Sequence, residues 1–137
     1  MRKPVNALLA TVLALGGGGM ITLGSATTAA AANPTCNWSA SYYGAWVPNY
    51  GTTSVNVNCA LYQGVMNNVA VGTLQETLNM CYGESLVVDR DFGAATEAAL
   101  RRAQQKAGTT VDGDYGPLTR KAIKHKPVSG STCVRVP

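Results

Sequence analysis

Two stretches early in the chain alternate between apolar and polar residues. In residues 36–42 every second position is apolar or aromatic, with Cys, Trp, Ala and Tyr at 36, 38, 40 and 42. In residues 53–59 two Val and a Cys occupy alternate positions at 55, 57 and 59. Such alternation is typical of half-buried strands, and the segment Pro48–Gly51 supplies turn residues between them. We therefore expect the two stretches to pair antiparallel, with Tyr42 opposite Thr53.

From Val69 the apolar spacing changes to that of a helix. A first helix is predicted on the face formed by Val71, Leu74, Leu78 and Cys81, with Gly83 as its stop. A second helix is predicted from about Ala94 to Ala107 and ends before Gly108. Its expected inner face consists of Thr96, Ala99, Leu100, Ala103 and Ala107, while Glu97 can pair with Arg101 at the i,i+4 spacing.

A third helix is predicted from Pro117 to about Lys126. Proline suits the first position of a helix, and Pro127 provides a stop. Leu118, Ala122 and Ile123 form its apolar stripe. His125 is then expected to lie in the last turn, exposed to water and favoured there by the helix dipole.

The first 32 residues have the organisation of a secretory signal peptide. Met1-Arg2-Lys3 is followed by an apolar run from Ala7 to Gly24, and small residues at Ala30 and Ala32 fit a cleavage site. An uncleaved membrane anchor is the alternative, since about 18 apolar residues is near the minimum for crossing a bilayer. We expect a secreted protein without stable membrane insertion after cleavage.

Charge is scarce and unevenly distributed. Only 13% of the residues are charged, about half the usual fraction, which excludes a coiled coil and a highly charged disordered chain. Residues 33–88 carry only Glu76 and Glu84. The formal net charge is +4, and without the bases of the leader, Arg2 and Lys3, it is +2, so no nucleic-acid partner is implied.

The four cysteines all follow the leader. An even number in a short exported chain favours two disulfides over a zinc site, and no Cys-x-x-Cys pair is present. The predicted strand register places Cys36 opposite Cys59, which favours that bridge and leaves Cys81 with Cys133. The other pairings stay open, because sequence alone does not fix connectivity.

A thirteen-residue segment occurs twice, and this internal repeat is the most informative feature. Residues 88–100 recur as residues 111–123 with six identities, among them two aspartates, a glycine and a threonine. Each copy is expected to form one turn that leads into a helix. Asp89 and Asp112 are expected to organise these turns, and Phe92 and Tyr115 to fill the core.

With these elements the sequence resembles the small three-helix peptidoglycan-binding domain of secreted cell-wall proteins. Leu74-Gln75, the two repeated loops and Gln104 match its ordered motifs over about residues 69–124. Arg90, Ala94 and Ala103 depart from the family pattern, which has glycine, often proline and a large aromatic there. The resemblance implies a three-helix bundle over these residues. Together with the short, hairpin-like, disulfide-stapled N-terminal extension predicted from the strand pattern and the cysteines, the expected fold is mainly α.

The chain is accordingly divided into four segments. These are a signal peptide (1–32), an aromatic, charge-poor extension (33–68), a peptidoglycan-binding-like domain (69–126) and a C-terminal tail (127–137). The resemblance further implies that ligand meets the second loop and the start of the third helix. Asp114 and Thr119 would offer polar contacts there, Tyr115 an aromatic edge and Arg120 a positive charge.

Metal binding and catalysis find little support in the residue pattern. A calcium loop starting at Asp89 or Asp112 would need a glutamate at its twelfth position, where Leu100 and Ile123 stand. No nucleophile motif is present, and a catalytic pair of Glu76 and Glu84 is a weak alternative. We expect no metal, no cofactor and no enzymatic activity.

Two surface properties each have two interpretations. Six aromatic residues of the extension either stack on sugars or build the small core: Trp38, Tyr42, Tyr43, Trp46, Tyr50 and Tyr62. Seven basic residues of the helical region either attract anionic wall components or only keep the protein soluble: Arg101, Arg102, Lys106, Arg120, Lys121, Lys124 and Lys126.

The leading functional interpretation is a secreted, monomeric, non-catalytic protein that binds peptidoglycan or another cell-wall polymer. Two alternatives remain open. The protein could use the same scaffold as an interaction or inhibitor protein, or it could be a minimal cell-wall hydrolase.

Overall fold

A computed structural model describes residues 32–137. The predicted leader and the alternative membrane anchor lie almost entirely outside these residues. Seven elements follow one another along the described chain: β1 (Trp38–Tyr42), β2 (Ala45–Asn49), α1 (Val69–Tyr82), α2 (Ala94–Ala107), α3 (Pro117–Ala122), β3 (Lys124–His125) and β4 (Val134–Arg135). Within residues 32–137 no helix has the length and hydrophobicity needed to cross a bilayer.

The N-terminal extension does contain an antiparallel hairpin, but its second strand is not the predicted one. β1 pairs with β2 so that Tyr42 lies opposite Ala45, not opposite Thr53. The chain reverses at Tyr43-Gly44, and residues 53–59 form no strand. β2 has a further neighbour in the C-terminal segment, because the Trp46 N–H donates to the Lys126 carbonyl at 2.9 Å.

The predicted turn at Pro48–Gly51 lies partly in β2, which continues to Asn49. The loop that follows is organised by the buried Asn49 side chain. Its amide donates to the carbonyls of Gly51 at 2.8 Å and Ser54 at 3.2 Å, and its Oδ1 accepts from the Asn56 N–H at 2.6 Å. These hydrogen bonds hold residues 50–56 as a compact loop, so the apolar alternation at 53–59 does not produce a strand.

α1 and α2 have the predicted bounds because local signals fix both ends. The Asn68 side chain caps α1 by accepting from the N–H groups of Ala70 and Val71. The left-handed residues Gly83 and Gly108 end α1 and α2. The expected ion pair within α2 also forms, with Arg101 Nη2 and Glu97 Oε1 at 2.8 Å.

α3 is shorter than predicted and ends at Ala122. Ile123 is extended and buried, and the next two residues form β3, in which His125 pairs with Val134 of β4. The prediction of a water-exposed His125 in a last helical turn is therefore wrong. Lys124 and His125 pair with β4 instead of continuing the helix, and the imidazole of His125 is fully buried.

Two apolar clusters hold these elements together. The larger one joins α1, α2 and the residues on either side of α3, and it includes Leu74, Phe92, Leu100, Tyr115 and Ile123. The repeat aromatics thus fill the core as predicted. The smaller cluster lies under the hairpin and is formed by Ala45, Val47, Val57 and Val136. Helices account for 32% of the structure, and strands together with isolated bridge residues for 18%, so the description as mainly α is only partly correct.

Both preferred disulfides are present, Cys36–Cys59 and Cys81–Cys133. The first forms without the strand register that suggested it. The Cys36 N–H donates to the Ala60 carbonyl, and the Ala60 N–H donates to the Pro34 carbonyl, both at 2.9 Å. These bonds belong to a parallel bridge between Thr35 and Ala60. The predicted pairing is therefore correct, although the geometry that suggested it is not.

Most aromatic residues of the extension do not enter either cluster. Trp38, Trp46, Tyr50 and Tyr62 are between 37% and 45% exposed, and Tyr43 is 68% exposed. Tyr42 is the exception, since it packs against the smaller cluster. The interpretation that the extension needs these rings for its core holds for Tyr42 alone.

Candidate functional site

The second repeated loop is built around Gln104, whose side chain is fully buried at the end of α2. Its amide nitrogen lies 2.7 Å from Asp112 Oδ1, 3.0 Å from the Asp114 carbonyl and 3.0 Å from Thr119 Oγ1. Its carbonyl oxygen accepts from the Gly113 N–H at 2.9 Å. One glutamine thereby fixes the loop and the first turn of α3.

The first loop repeats this arrangement around Gln75 of α1. The Gln75 amide nitrogen lies 2.9 Å from Asp89 Oδ1, 3.1 Å from the Asp91 carbonyl and 3.1 Å from Thr96 Oγ1. Its carbonyl oxygen accepts from the Arg90 N–H at 3.0 Å. The internal repeat is therefore a repeated hydrogen-bond network, and in each copy the glutamine comes from the preceding helix.

The two aspartates that begin the loops serve as turn residues, as predicted. Asp89 Oδ1 accepts from the Asp91 N–H at 3.0 Å, and Asp112 Oδ1 accepts from the Asp114 N–H at 2.9 Å. The hydrogen bonds from the Asp91 N–H and from Gln75 hold the pKa of Asp89 below its ordinary value. Both carboxylates are engaged within their own loops.

The copies differ at one pair of positions in a complementary way. Arg90 has a φ of +67° where the second copy has Gly113 with a φ of +78°. A Cβ on Gly113 would lie 2.8 Å from Glu97 Cγ and 2.9 Å from Arg101 Nε. In the first copy Gly72 takes the helix position of Arg101, three residues before the glutamine, and leaves room for the Arg90 side chain. The departure at Arg90 is thus compensated by a small residue on α1.

A cleft opens beside each loop, and the two clefts are related by the repeat. The second has a volume of about 390 Å³ and is lined on its repeat side by Asp112, Asp114, Gly116, Leu118 and Thr119. The first has a volume of about 290 Å³ and is lined by the corresponding residues Asp89, Asp91, Gly93, Ala95 and Thr96. The remaining walls differ: Asn33, Ala60 and Pro117 in the second cleft, and Gln75, Ser85, Leu86 and Val87 in the first.

Of the four predicted contact residues, Asp114 and Thr119 line the second cleft. The Asp114 carboxylate is exposed and accepts no hydrogen bond from any residue between 32 and 137. Partial desolvation and the nearby carboxylates of Asp112 and Glu97 raise its pKa. Thr119 is 4% exposed, and its hydroxyl donates to the Asp114 carbonyl at 3.0 Å.

Tyr115 and Arg120 lie in the interior instead. Tyr115 is fully buried, with its hydroxyl 2.9 Å from His125 Nε2. Arg120 is 3% exposed, donates to the main-chain oxygen of Pro137 and lies over the Tyr42 ring at 5.6 Å. The expected aromatic edge and positive charge are therefore not presented at the cleft, because β3 and the C-terminal segment cover both side chains.

Gln75 and Gln104 stand out in the sequence as motif residues, but the sequence alone assigns them no role. The sequence does contain a signal for such a role. The repeat keeps Asp and Thr at positions where a buried amide can hydrogen-bond to both, and Gln104, which follows the buried Ala103, needs a hydrogen-bond partner once it is buried. The contact of His125 with the Tyr115 hydroxyl has no comparable local signal, because it depends on the pairing of β3 with β4.

The residues considered for catalysis are held in ion pairs. Glu76 Oε2 lies 2.6 Å from Lys126 Nζ, and Glu84 Oε2 lies 2.7 Å from Arg102 Nη2. The bidentate contact with Arg102 lowers the pKa of Glu84. Three bases of the predicted basic surface (Arg101, Arg102 and Lys126) are thus paired with acids.

Residues 32–137 contain no group of three His, Cys, Asp or Glu side chains arranged to hold an ion.

Comparison with known proteins identifies the segment that contains both loops. Residues 67–123 match the family described as "Putative peptidoglycan binding domain". The predicted resemblance is confirmed over this segment, which runs from the residue before the Asn68 cap to the end of the second repeat. No curated protein and no solved structure matches the chain. We refer to residues 67–123 as the matched domain, and both clefts are lined mainly by its residues.

Proposed function

We propose that the protein is a secreted, non-catalytic protein that binds peptidoglycan through the cleft beside the second loop. The observation that carries this proposal is the match of residues 67–123 to a peptidoglycan-binding family, combined with an open cleft on that domain. The two disulfides use all four cysteines and support an oxidising compartment outside the cytosol. We further propose that the protein acts as a monomer and that residues 127–137 form a tail that supports the domain.

The second cleft is preferred to the first for two reasons. The Asp114 carboxylate is available to accept hydrogen bonds from hydroxyl, amide or amino groups of a wall polymer, whereas its counterpart Asp91 already accepts from the Asn67 N–H at 2.7 Å. The second cleft also has an apolar side chain at its edge, because Leu118 is 74% exposed where the first copy has Ala95. A ligand with both apolar and hydrogen-bonding groups fits this surface.

Depletion from solution by insoluble peptidoglycan tests the proposal. Leu118→Ser should weaken the binding, because Leu118 borders the second cleft. Val87→Ser is the matched control, since Val87 is 77% exposed and lines the first cleft. Both substitutions remove an exposed apolar side chain, so the melting temperature should be unchanged in both variants.

Three results would contradict parts of the proposal. Absence of depletion by peptidoglycan would reject the binding function and favour an interaction or inhibitor role. Loss of binding in Val87→Ser alone would move the site to the first cleft. Release of soluble sugar or peptide fragments would show hydrolysis, although the ion pairs of Glu76 and Glu84 argue against it.

A further inference from the structure

The hairpin turn has an unusual residue at its tip. β1 and β2 are joined by the two residues Tyr43 and Gly44, with φ values of +47° and +81°. Positive φ at both central positions is the type I′ pattern, for which Asn-Gly or Asp-Gly is strongly preferred. A tyrosine in the left-handed region is destabilising relative to those residues. The turn itself therefore gives no reason for a tyrosine at this position.

Core packing gives no reason for Tyr43 either, because its side chain is 68% exposed. The ring is nevertheless held in place. It meets the Tyr42 ring edge-on, with centroids 4.7 Å apart and an interplanar angle of 78°. The Tyr42 ring in turn lies over the buried guanidinium of Arg120 at 5.6 Å. An exposed aromatic surface is thus supported from the interior of the protein.

The exposed side chains of the hairpin itself are uncharged, and the Arg120 guanidinium beneath Tyr42 is buried. Residues 33–75 contain no acidic or basic side chain, and the hairpin contributes the exposed hydroxyl of Ser41 and a second exposed ring from Trp46. Lys126, whose carbonyl bonds to Trp46, has its ammonium paired with Glu76 at 2.6 Å. A ligand recognised here would be an uncharged molecule with apolar ring faces and hydroxyl groups.

We propose that the tip of the β1–β2 hairpin is a second binding surface, on which Tyr43 stacks against a sugar ring of an uncharged polysaccharide. This surface lies outside the matched domain and does not depend on the cleft beside the second loop. The flat ring and its phenol group match the alternating apolar and polar faces of a sugar. In this arrangement Tyr43 provides an exposed ring at the turn, which an asparagine at the same position would not provide.

Binding of the full-length chain, after cleavage of any leader, to insoluble chitin tests this proposal, because chitin is a neutral glycan without peptide or phosphate. Tyr43→Asn removes the ring and introduces a residue that the turn prefers. We expect roughly two- to tenfold weaker binding, the range for the loss of one aromatic stacking contact, together with an unchanged or higher melting temperature. Tyr43→Phe keeps the ring and should keep the binding.

Tyr62→Asn is the matched control, since Tyr62 is 44% exposed but lies near Thr35, at 3.2 Å between the hydroxyl oxygens, and away from the turn. Its chitin binding should equal that of the unmodified protein. High salt should not weaken binding, because no charge is involved.

The proposal is overturned if the protein does not bind chitin, if Tyr43→Asn binds as well as the unmodified protein, if Tyr62→Asn loses as much, or if salt abolishes binding. Retention of peptidoglycan but not of chitin would overturn this proposal alone and leave the cleft as the binding site.

Discussion

Replacement of His125 by glutamine should remove a specific acid sensitivity of the fold. The imidazole is fully buried, and its Nε2 lies 2.9 Å from the Tyr115 hydroxyl. Burial, assisted by the positive charge of Arg120, lowers the pKa of His125 from 6.5 to about 4. Glutamine can keep a hydrogen bond to Tyr115 but does not titrate between pH 4 and pH 7, so it isolates the effect of the proton.

The size of the effect follows from this difference in pKa. Between pH 6.5 and pH 4 the unfolded chain binds a proton at this histidine that the folded protein excludes, so the free energy of unfolding falls as the pH falls. Each pKa unit corresponds to about 1.4 kcal/mol. The contribution of the neutral, buried His125 to the free energy of unfolding is fully present above pH 6.5, and about 3 kcal/mol of it is lost by pH 4. This is a large fraction of the 5–15 kcal/mol that stabilises most domains.

Urea unfolding followed by far-UV circular dichroism at pH 7, 5.5 and 4 measures the effect. The free energy of unfolding of the unmodified protein should fall by about 3 kcal/mol more than that of His125→Gln between pH 7 and pH 4. Carboxylates also titrate in this range, and the raised pKa of Asp114 acts in the opposite direction. Both proteins share these groups, so the difference between the two curves belongs to His125. Parallel curves would refute the burial argument.

Two further predictions concern the loops. Gln104→Glu should lower the free energy of unfolding by about 3–5 kcal/mol, because it places a carboxylate against Asp112 Oδ1 and the Asp114 carbonyl. Gln105→Glu, at the exposed neighbouring position, should leave the free energy of unfolding unchanged. Equal effects of the two substitutions in urea unfolding would contradict the buried network. Arg90→Gly should raise the free energy of unfolding by about 0.5–1 kcal/mol, because glycine adopts the φ of +67° without strain. A lower melting temperature would contradict this and show that the contacts of the Arg90 side chain outweigh the strain of its backbone.

The helices could be predicted from the sequence because their determinants are local. α1 and α2 begin and end at residues that act within one turn: the Asn68 cap and the glycines at positions 83 and 108. The repeat likewise identifies the two loops from their residues alone. Short-range hydrogen bonds and backbone preferences carry this information, so it can be read in one pass along the chain.

The hairpin and the end of α3 could not be predicted in the same way. Tyr43-Gly44 is a poor turn signal because tyrosine is disfavoured at positive φ, so the residues at Pro48–Gly51 give the stronger turn prediction. The strand at Lys124–His125 forms by pairing with β4, across a loop of eight residues, and the neighbouring Pro127 forms a bridge with Ala45 of β2, far earlier in the sequence. These pairings are tertiary, and they override the helical pattern of the residues involved.

The same distinction explains which candidate site residues lie where the motif predicts. Asp114 and Thr119 belong to the loop and the first turn of α3, so the local repeat puts them at the cleft. Tyr115 and Arg120 belong to the same motif, but their exposure depends on β3 and on the segment around Pro137, which cover them. A motif fixes the backbone position of a residue, whereas its accessibility depends on what the rest of the chain packs against it.

The two clefts show where binding specificity has to originate. The loops beside both clefts are held by the same hydrogen-bond network around Gln75 and Gln104, so this network supports both clefts and does not distinguish one ligand from another. The walls are not repeated: the first cleft is closed by residues 85–87 after α1, and the second by Asn33 and Ala60 of the extension. The extension thus contributes to the second cleft and also carries the aromatic hairpin tip. Ligand selection should therefore depend on these unrepeated walls, on the exposed Asp114 carboxylate and on Leu118, and not on the glutamine network that the two clefts share.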